Sequence, residues 1–253
     1  MTVLIVTGGS RGIGAAVARA AGARGFDVAV AYRRDETAAN GVVDDITAAG
    51  GRARALQADV ADADQVDRLF ADVRRDMGPP SALVNSAGIG FGRRAVADFE
   101  AADLARLFAV NVTGTMICCR EAVRAMSTRR GGSGGAIVNI SSMAATIGGR
   151  PGNSAYAASK AAVDAFTIGL AKEAAADGIR VNGVRPGMTR TDMTSALDTD
   201  PAQLKAVEAT IPLGRVATPP EIAEPVLWLL SDAASFISGA LVDASGGGFM
   251  VDG

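Results

Sequence analysis

The chain has 253 residues, is 49% hydrophobic but only 4% aromatic, and carries a net charge of −2; that length suits one large α/β domain or two small ones, with a core of Ala, Val, Ile and Leu. With a pI near 5.3 and basic pairs that are short and scattered (Arg33-Arg34, Arg74-Arg75, Arg93-Arg94, Arg129-Arg130), it offers no electrostatic footprint for nucleic acid. The only cysteines, Cys118 and Cys119, are adjacent and histidine is absent, which argues against a disulfide framework or a metal site and predicts two reduced thiols.

In chain order, short apolar runs at 3–6, 27–31, 54–57, 82–84, 136–140, 180–184 and 240–242 read as strands. Helical patterns cover 12–24, 36–49, 63–77, 101–127, 154–176 and 219–231. Most strand runs are continuously apolar, as parallel strands buried on both faces are. The alternation predicts an α/β fold: one Rossmann-type, doubly wound parallel sheet with helices on both faces, in a single domain over 1–253. No run of the ~20 apolar residues of a membrane span is predicted. The first strand begins by residue 3, leaving no room for a signal peptide, so a soluble cytoplasmic protein is expected. Only 186–220 breaks the rhythm. A connection that long predicts a lid at about 188–213, with Met188, Met193, Ile211 and Leu213 as its apolar cover.

The first strand–helix turn reads Thr7-Gly8-Gly9-Ser10-Arg11-Gly12-Ile13-Gly14. Glycines there let the backbone approach a pyrophosphate, which then meets the free N–H groups of the helix start. The spacing is G-x-x-x-G-x-G, not the commoner G-x-G-x-x-G. Further on, Tyr156-Ala157-Ala158-Ser159-Lys160 sets one of two tyrosines four residues before one of three lysines. On a helix the two share a face. Without histidine, this pair is the best device for moving a proton near neutral pH. An ammonium beside a phenol favours the phenolate, and lowering a tyrosine pKa by ~3 units needs roughly 4 kcal/mol. Ser141-Ser142 closes a predicted strand upstream of the pair.

These motifs run in one order with Asp59-Val60, Asn85-Ser86-Ala87-Gly88, Asn111, Pro186-Gly187 and the closing Ser238-Gly239 and Asp243-x-x-Gly246-Gly247. In that order the chain resembles the short-chain dehydrogenase/reductase family, from Thr7 to Gly247. The resemblance implies Tyr156 as general acid/base at the reacting oxygen and Ser142 hydrogen-bonded to that oxygen. Lys160 would lower the tyrosine pKa and hold the nicotinamide ribose, and Asn111 would hold a water that connects Lys160 to solvent. Ser141 is the alternative for the serine role, since this loop is one residue longer than usual. The implied cofactor bed is Gly8, Ser10, Arg11, Gly12, Ile13 and Gly14 in the turn, and Asp59 and Val60 beside the adenine. Asn85, Ala87 and Gly88 would line it further, with Pro186, Gly187, Thr189 and Thr191 at the nicotinamide end.

The family's acidic position for an NAD ribose falls on Tyr32, followed by Arg33 and Arg34. Arg33, with Arg11 opposite and Arg34 in support, suits a 2′-phosphate through planar, charge-assisted bonds, so NADP(H) is expected over NAD(H). The implied substrate is a small ketone or alcohol. One alternative is a 3-oxoacyl-[acyl-carrier-protein] reductase, for which Arg129 and Arg130 are basic but Ala175-Ala176-Asp177-Gly178 puts an acid where such an enzyme needs a base. The other is a sugar or polyol dehydrogenase. Helices 101–127 and 154–176 resemble those that pair subunits in this family. With the apolar 236–250 segment they imply a homotetramer; neither a nucleic acid, a membrane nor a metal is expected as partner.

Overall fold

The computed structural model describes residues 2–248, and among them all side chains except those of 196–198; residues 249 and 250 of the expected 236–250 contact segment lie outside the described residues. Seven parallel strands, β1 (Val3–Thr7), β2 (Asp27–Tyr32), β3 (Arg52–Gln57), β4 (Pro80–Asn85), β5 (Gly135–Ile140), β6 (Ile179–Pro186) and β7 (Leu241–Ala244), build one sheet in the order β3-β2-β1-β4-β5-β6-β7. The helices are α1 (Gly12–Ala23), α2 (Glu36–Ala48), α3 (Ala63–Asp76), α4 (Ala101–Phe108), α5 (Thr115–Met126), α6 (Ala144–Ile147), α7 (Ser154–Ala174), α8 (Pro201–Glu208) and α9 (Pro219–Leu230). The apolar residues of α1, α2 and α9 pack on one face of the sheet around Leu4, Val6 and Val28. Those of α3, α5 and α7 pack on the other around Ile5, Leu83 and Ile137. Every residue of β1 and β2 is buried, which is why those strands read as unbroken apolar runs. From β1 the chain winds outward to β2 and β3, then returns to β4 and winds the other way. The connections leaving β1 and β4 therefore diverge, and a crevice opens at their carboxyl ends.

The structure departs from the sequence reading in three places. At the sheet edge, β3 is at best partly buried, and Arg52 and Arg54 blunt it with ion pairs to Asp27 and Asp76. The helix expected over 101–127 is instead α4 and α5 joined by a π turn, Ala109–Gly114. Such turns carry an extra residue that 3.6-residue periodicity does not reveal. Gly114 within it lies so close to the chain after β3 that a Cβ would stand 2.8 Å from a Val60 methyl. Taken together, Ala101–Met126 is long and apolar enough, by length and composition, to cross a membrane. Here Leu107, Cys118, Cys119, Ala122 and Met126 of that run are buried within the fold, as in a core helix.

Third, the stretch expected as a loop at 188–213 is largely helical, with a 3-10 segment at Asp192–Asp198 and then α8. Asp200 caps α8 by accepting from the Gln203 N–H at 3.0 Å, and Pro201 opens its first turn. Val207, Ile211 and Val216 pack with Met188 and Leu204 into a small apolar cluster apart from the two main cores.

Candidate active site

A cavity of about 950 Å³ occupies the crevice. Its floor begins where β1 ends. Thr7 Oγ1 accepts from the Ser86 and Ala87 N–H groups, each at 3.2 Å, and so ties the end of β1 to the end of β4. The chain then turns through Gly8 with φ +63°, and a Cβ there would stand 2.8 Å from Ala87 Cα. Only glycine fits both that conformation and that approach. Helix α1 starts at Gly12 with no side-chain cap and no acidic residue in its first turn. Its orphan N–H groups thus present positive partial charge where Gly12 and Ile13 border the cavity. This cradle suits the pyrophosphate of a dinucleotide.

Most of the expected cofactor residues line this cavity: Gly8, Ser10, Arg11, Gly12, Ile13, Tyr32, Arg33, Arg34, Asp59, Val60, Ala87, Gly88, Pro186, Gly187, Thr189 and Thr191. Three expected site residues do not. Gly14 sits behind the turn, where a Cβ would come 2.2 Å from Gly8 O. Asn85 lies beneath the floor and donates through Nδ2 to Asn139 Oδ1 at 2.9 Å and to Cys119 Sγ at 3.2 Å. Asn139 in turn donates to Thr167 Oγ1 at 2.9 Å. Asn111 is fully buried in the π turn. Its side chain accepts from the Ile89 N–H at 2.8 Å and donates to Ile89 O and Ser159 Oγ. Its carbonyl accepts from Thr115 Oγ1 at 3.0 Å. Through its side chain Asn111 therefore binds the strand-β4 loop to α7. Both cysteines are free and buried, and burial pushes the Cys118 thiol up to about 12.

The arginines expected to flank a 2′-phosphate are engaged within the chain. Arg33 Nε meets Asp59 Oδ2 at 2.8 Å, while Arg11 Nη1 reaches Asp192 Oδ2 at 3.0 Å. A residue that the sequence reading missed, Arg106 of α4, donates to the same Asp59 oxygen at 2.9 Å. Partial burial alone would raise the Asp59 carboxyl. Hydrogen bonds from Ala61 and Arg106, with the charges of Arg106 and Arg33, outweigh it and hold the group below its usual range. Two guanidiniums on one carboxylate leave this corner net positive. No local motif announces Arg106, whose partner lies 47 residues away.

At the other end, α7 brings Tyr156 and Lys160 to the cavity one turn apart. Lys160 is buried, donates from Nζ to Ile140 O at 2.9 Å, and stands 5.9 Å from the Tyr156 ring centre. The two candidate serines separate clearly. Ser141 is buried and spends its hydroxyl on Lys160 O at 3.2 Å. Ser142 accepts from the Ala144 N–H at 3.1 Å and lines the cavity with Tyr156, where its hydroxyl favours the phenolate. The expected lowering of the phenol pKa is reversed among the chain's own groups: burial raises it, and Ser142 only partly offsets that. Burial likewise lowers Lys160 to about 8, with Asp164 pulling the other way.

Residues 188–213 form the roof, which touches the floor at several points. Thr191 Cγ2 lies 3.3 Å from where a Gly12 Cβ would stand, and Met193 Sδ 3.8 Å from where a Gly90 Cβ would. The Arg11–Asp192 pair joins the glycine turn to the roof. Arg150, from the loop before α7, donates to Thr210 Oγ1 at 3.3 Å.

Known proteins resemble this chain in sequence and in fold. Residues 8–248 match the family model described as Enoyl-(Acyl carrier protein) reductase. The chain is 46% identical over 247 residues to the uncharacterized oxidoreductase YgfF of Escherichia coli (strain K12), covering 98% of this chain and 100% of that protein. It is 39% identical to a 3-oxoacyl-[acyl-carrier-protein] reductase of Synechocystis sp., covering 97% of this chain and 96% of the relative. Among solved structures, a dehydrogenase/reductase from Sinorhizobium meliloti 1021 superposes with a TM-score of 0.91 at 37% identity, over 98% of this chain and 94% of that one.

Proposed function

The chain belongs to the short-chain dehydrogenase/reductase family and is an oxidoreductase, and from that premise we propose that it transfers hydride between NADP(H) and the carbonyl or alcohol carbon of a small molecule. The observation that carries this reading is one cavity lined by the glycine turn, the Arg33 corner, Ser142, Tyr156 and Lys160 together.

A nicotinamide cofactor held on the floor supplies or accepts the hydride. The chain's own groups handle the proton. In the direction of reduction, Tyr156 Oη gives its proton to the substrate oxygen while Ser142 Oγ hydrogen-bonds that oxygen and fixes its position. Lys160, with a pKa of about 8, is mostly protonated at pH 7, so its ammonium stabilises the phenolate left behind. In oxidation the same phenolate takes the alcohol proton. Asn111 keeps α7 and the β4 loop in register for this step. Arg33, Arg34 and Arg11 would receive the 2′-phosphate; Arg33 would exchange its Asp59 contact for it, while Arg11, with five N–H donors, would keep its Asp192 contact beside it.

A second reading, reduction of acyl groups on a carrier protein, draws on the Synechocystis relative. Against it, Asp177 sits at the end of α7 and takes a hydrogen bond from Ser127, with Arg129 3.9 Å away, so this corner presents little positive charge to an acidic carrier. We also assign the exposed apolar residues Phe108, Met116 and Ile168, and Trp228 and Phe236, to contacts within a cytoplasmic homotetramer. Titration with NADPH and NADH, then turnover of a carbonyl panel, tests the reading. Tighter NADPH binding and reduction of at least one carbonyl are expected, from a particle that scatters light as four chains of 25.5 kDa. Preference for NADH, or no nicotinamide oxidation with any carbonyl, overturns it.

A further inference from the structure

Two arginines at the substrate end of the cavity have no part in the scheme above. Arg93 lies in the loop after β4 and Arg150 in the loop before α7, and both line the cavity that holds Tyr156. The two loops are pinned together. The Arg94 N–H donates to Gly152 O at 3.1 Å. Gly152 has φ +85°, and a Cβ there would stand 3.2 Å from Arg93 Cα. The pinning holds two like charges near each other. Arg93 repels Arg150, which with the larger effect of partial burial keeps the Arg150 guanidinium below its usual range. Folding tolerates such a juxtaposition at a cost, and an anion between the two groups would relieve it.

The cavity's own carboxylates are committed elsewhere. Asp35 accepts from the Ala38 N–H as the cap of α2, Asp59 holds Arg33 and Arg106, and Asp192 holds Arg11. The neighbouring arginine shows the ordinary surface arrangement: Arg94 pairs with Asp103 and lies over the Phe91 ring. Arg93, by contrast, has no carboxylate partner among the described residues. Arg150 is half-buried and also reaches the roof through Thr210, so an anion bound to it would sit where floor and roof meet.

We propose that the physiological substrate carries, besides its carbonyl or alcohol, an anionic group that Arg93 and Arg150 hold at the mouth of the cavity. This rests on the reading of Tyr156 as the proton donor. Planar guanidiniums match a carboxylate or a phosphate oxygen pair, so the shared chemistry is a small oxyanion. Its attachment to a reducible carbon fixes which end of the substrate enters first.

The test uses matched pairs: 4-oxopentanoate against its methyl ester, and dihydroxyacetone phosphate against dihydroxyacetone, with NADPH oxidation followed at low and high salt. For at least one pair, kcat/KM for the anion should exceed that for its neutral twin by about tenfold or more, and the advantage should shrink as salt rises. Arg150→Gln and Arg93→Gln should each cut that ratio about tenfold, through KM rather than kcat, and Arg150→Lys should restore part of it. The pair that responds separates carboxylate from phosphate. Arg93 is exposed, so its replacement removes no core packing and the test survives if Arg150→Gln folds poorly. Neutral members served equally well, no response to either anion, or Gln variants with an unchanged ratio overturn the proposal. If neutral carbonyls are still reduced with NADPH, the oxidoreductase assignment stands without it; if NADPH neither binds nor is oxidised, that assignment fails instead.

Discussion

The floor and the roof of the cavity are built in opposite ways. The floor is backbone against backbone at the carboxyl ends of β1, β4 and β5. Its clearances are so small that a methyl group at Gly8 would strike Ala87. The roof rests on side chains: a thioether over Gly90, a threonine on Gly12, and an ion pair whose partners are 60% and 67% exposed. Its apolar cluster, Val207, Ile211 and Val216, lies apart from the main cores. A floor of that kind tolerates little change, because a side chain at Gly8 has no room. A roof of that kind can be re-cut for new substrates without disturbing the sheet. The two regions therefore differ in how much sequence change they can absorb.

The sharpest way to break this division is at Tyr156, on the floor. Tyr156→Phe removes one hydroxyl and leaves the ring packed, so kcat should fall ~10²- to 10⁴-fold while NADPH titration still reports binding. A variant that keeps most of its kcat removes Tyr156 from the mechanism. A smaller effect is expected at the nucleotide corner. Arg33→Ala should weaken NADPH roughly 10- to 150-fold and NADH far less, because only NADPH carries the 2′-phosphate. Equal losses for the two cofactors would mean that Arg33 serves only Asp59. The smallest effect belongs to the roof. The Arg11–Asp192 pair is solvent-exposed, so Asp192→Ala should raise the substrate KM by at most about fivefold. Amide hydrogen exchange across 201–213 should quicken in the same variant. No change in either would show that the pair does not latch the roof.

The contrast also explains what the sequence made legible. The floor is written in short local words: Gly8 and Gly12 after a strand, Tyr156 and Lys160 on one helical face, Ser142 at a strand end. Each word reflects a constraint that acts within a few residues, so spacing alone exposes it. The strands were readable because burial on both faces of the sheet removes polar residues from them; β3, at the edge, obeys no such constraint and was caught only in part. The roof was foreseen as a long connection but not as α8. Its opening signal, Asp200-Pro201, stands in the sequence, yet eight residues with a single buried apolar position carry little periodicity. Arg106 and the Arg93–Arg150 pair were invisible for a different reason. Their meaning lies in partners on other loops, brought within reach only when the sheet assembles. The π turn at 109–114 was hidden because an inserted helical residue shifts the phase of a pattern without ending it.

One feature beneath the floor changes how damage to this enzyme should be read. Asn85, Cys119, Asn139 and Thr167 form a hydrogen-bonded seam through the buried interior. None of the four lines the cavity, yet removing Asn85, Asn139 or Thr167 strands a buried polar neighbour. In a survey of random variants, inactive clones will therefore fall along this seam as well as at Tyr156. They will have lost soluble protein, not turnover per folded molecule. Counting inactive positions alone would draw the active centre several residues too large; dividing activity by folded protein restores its true outline.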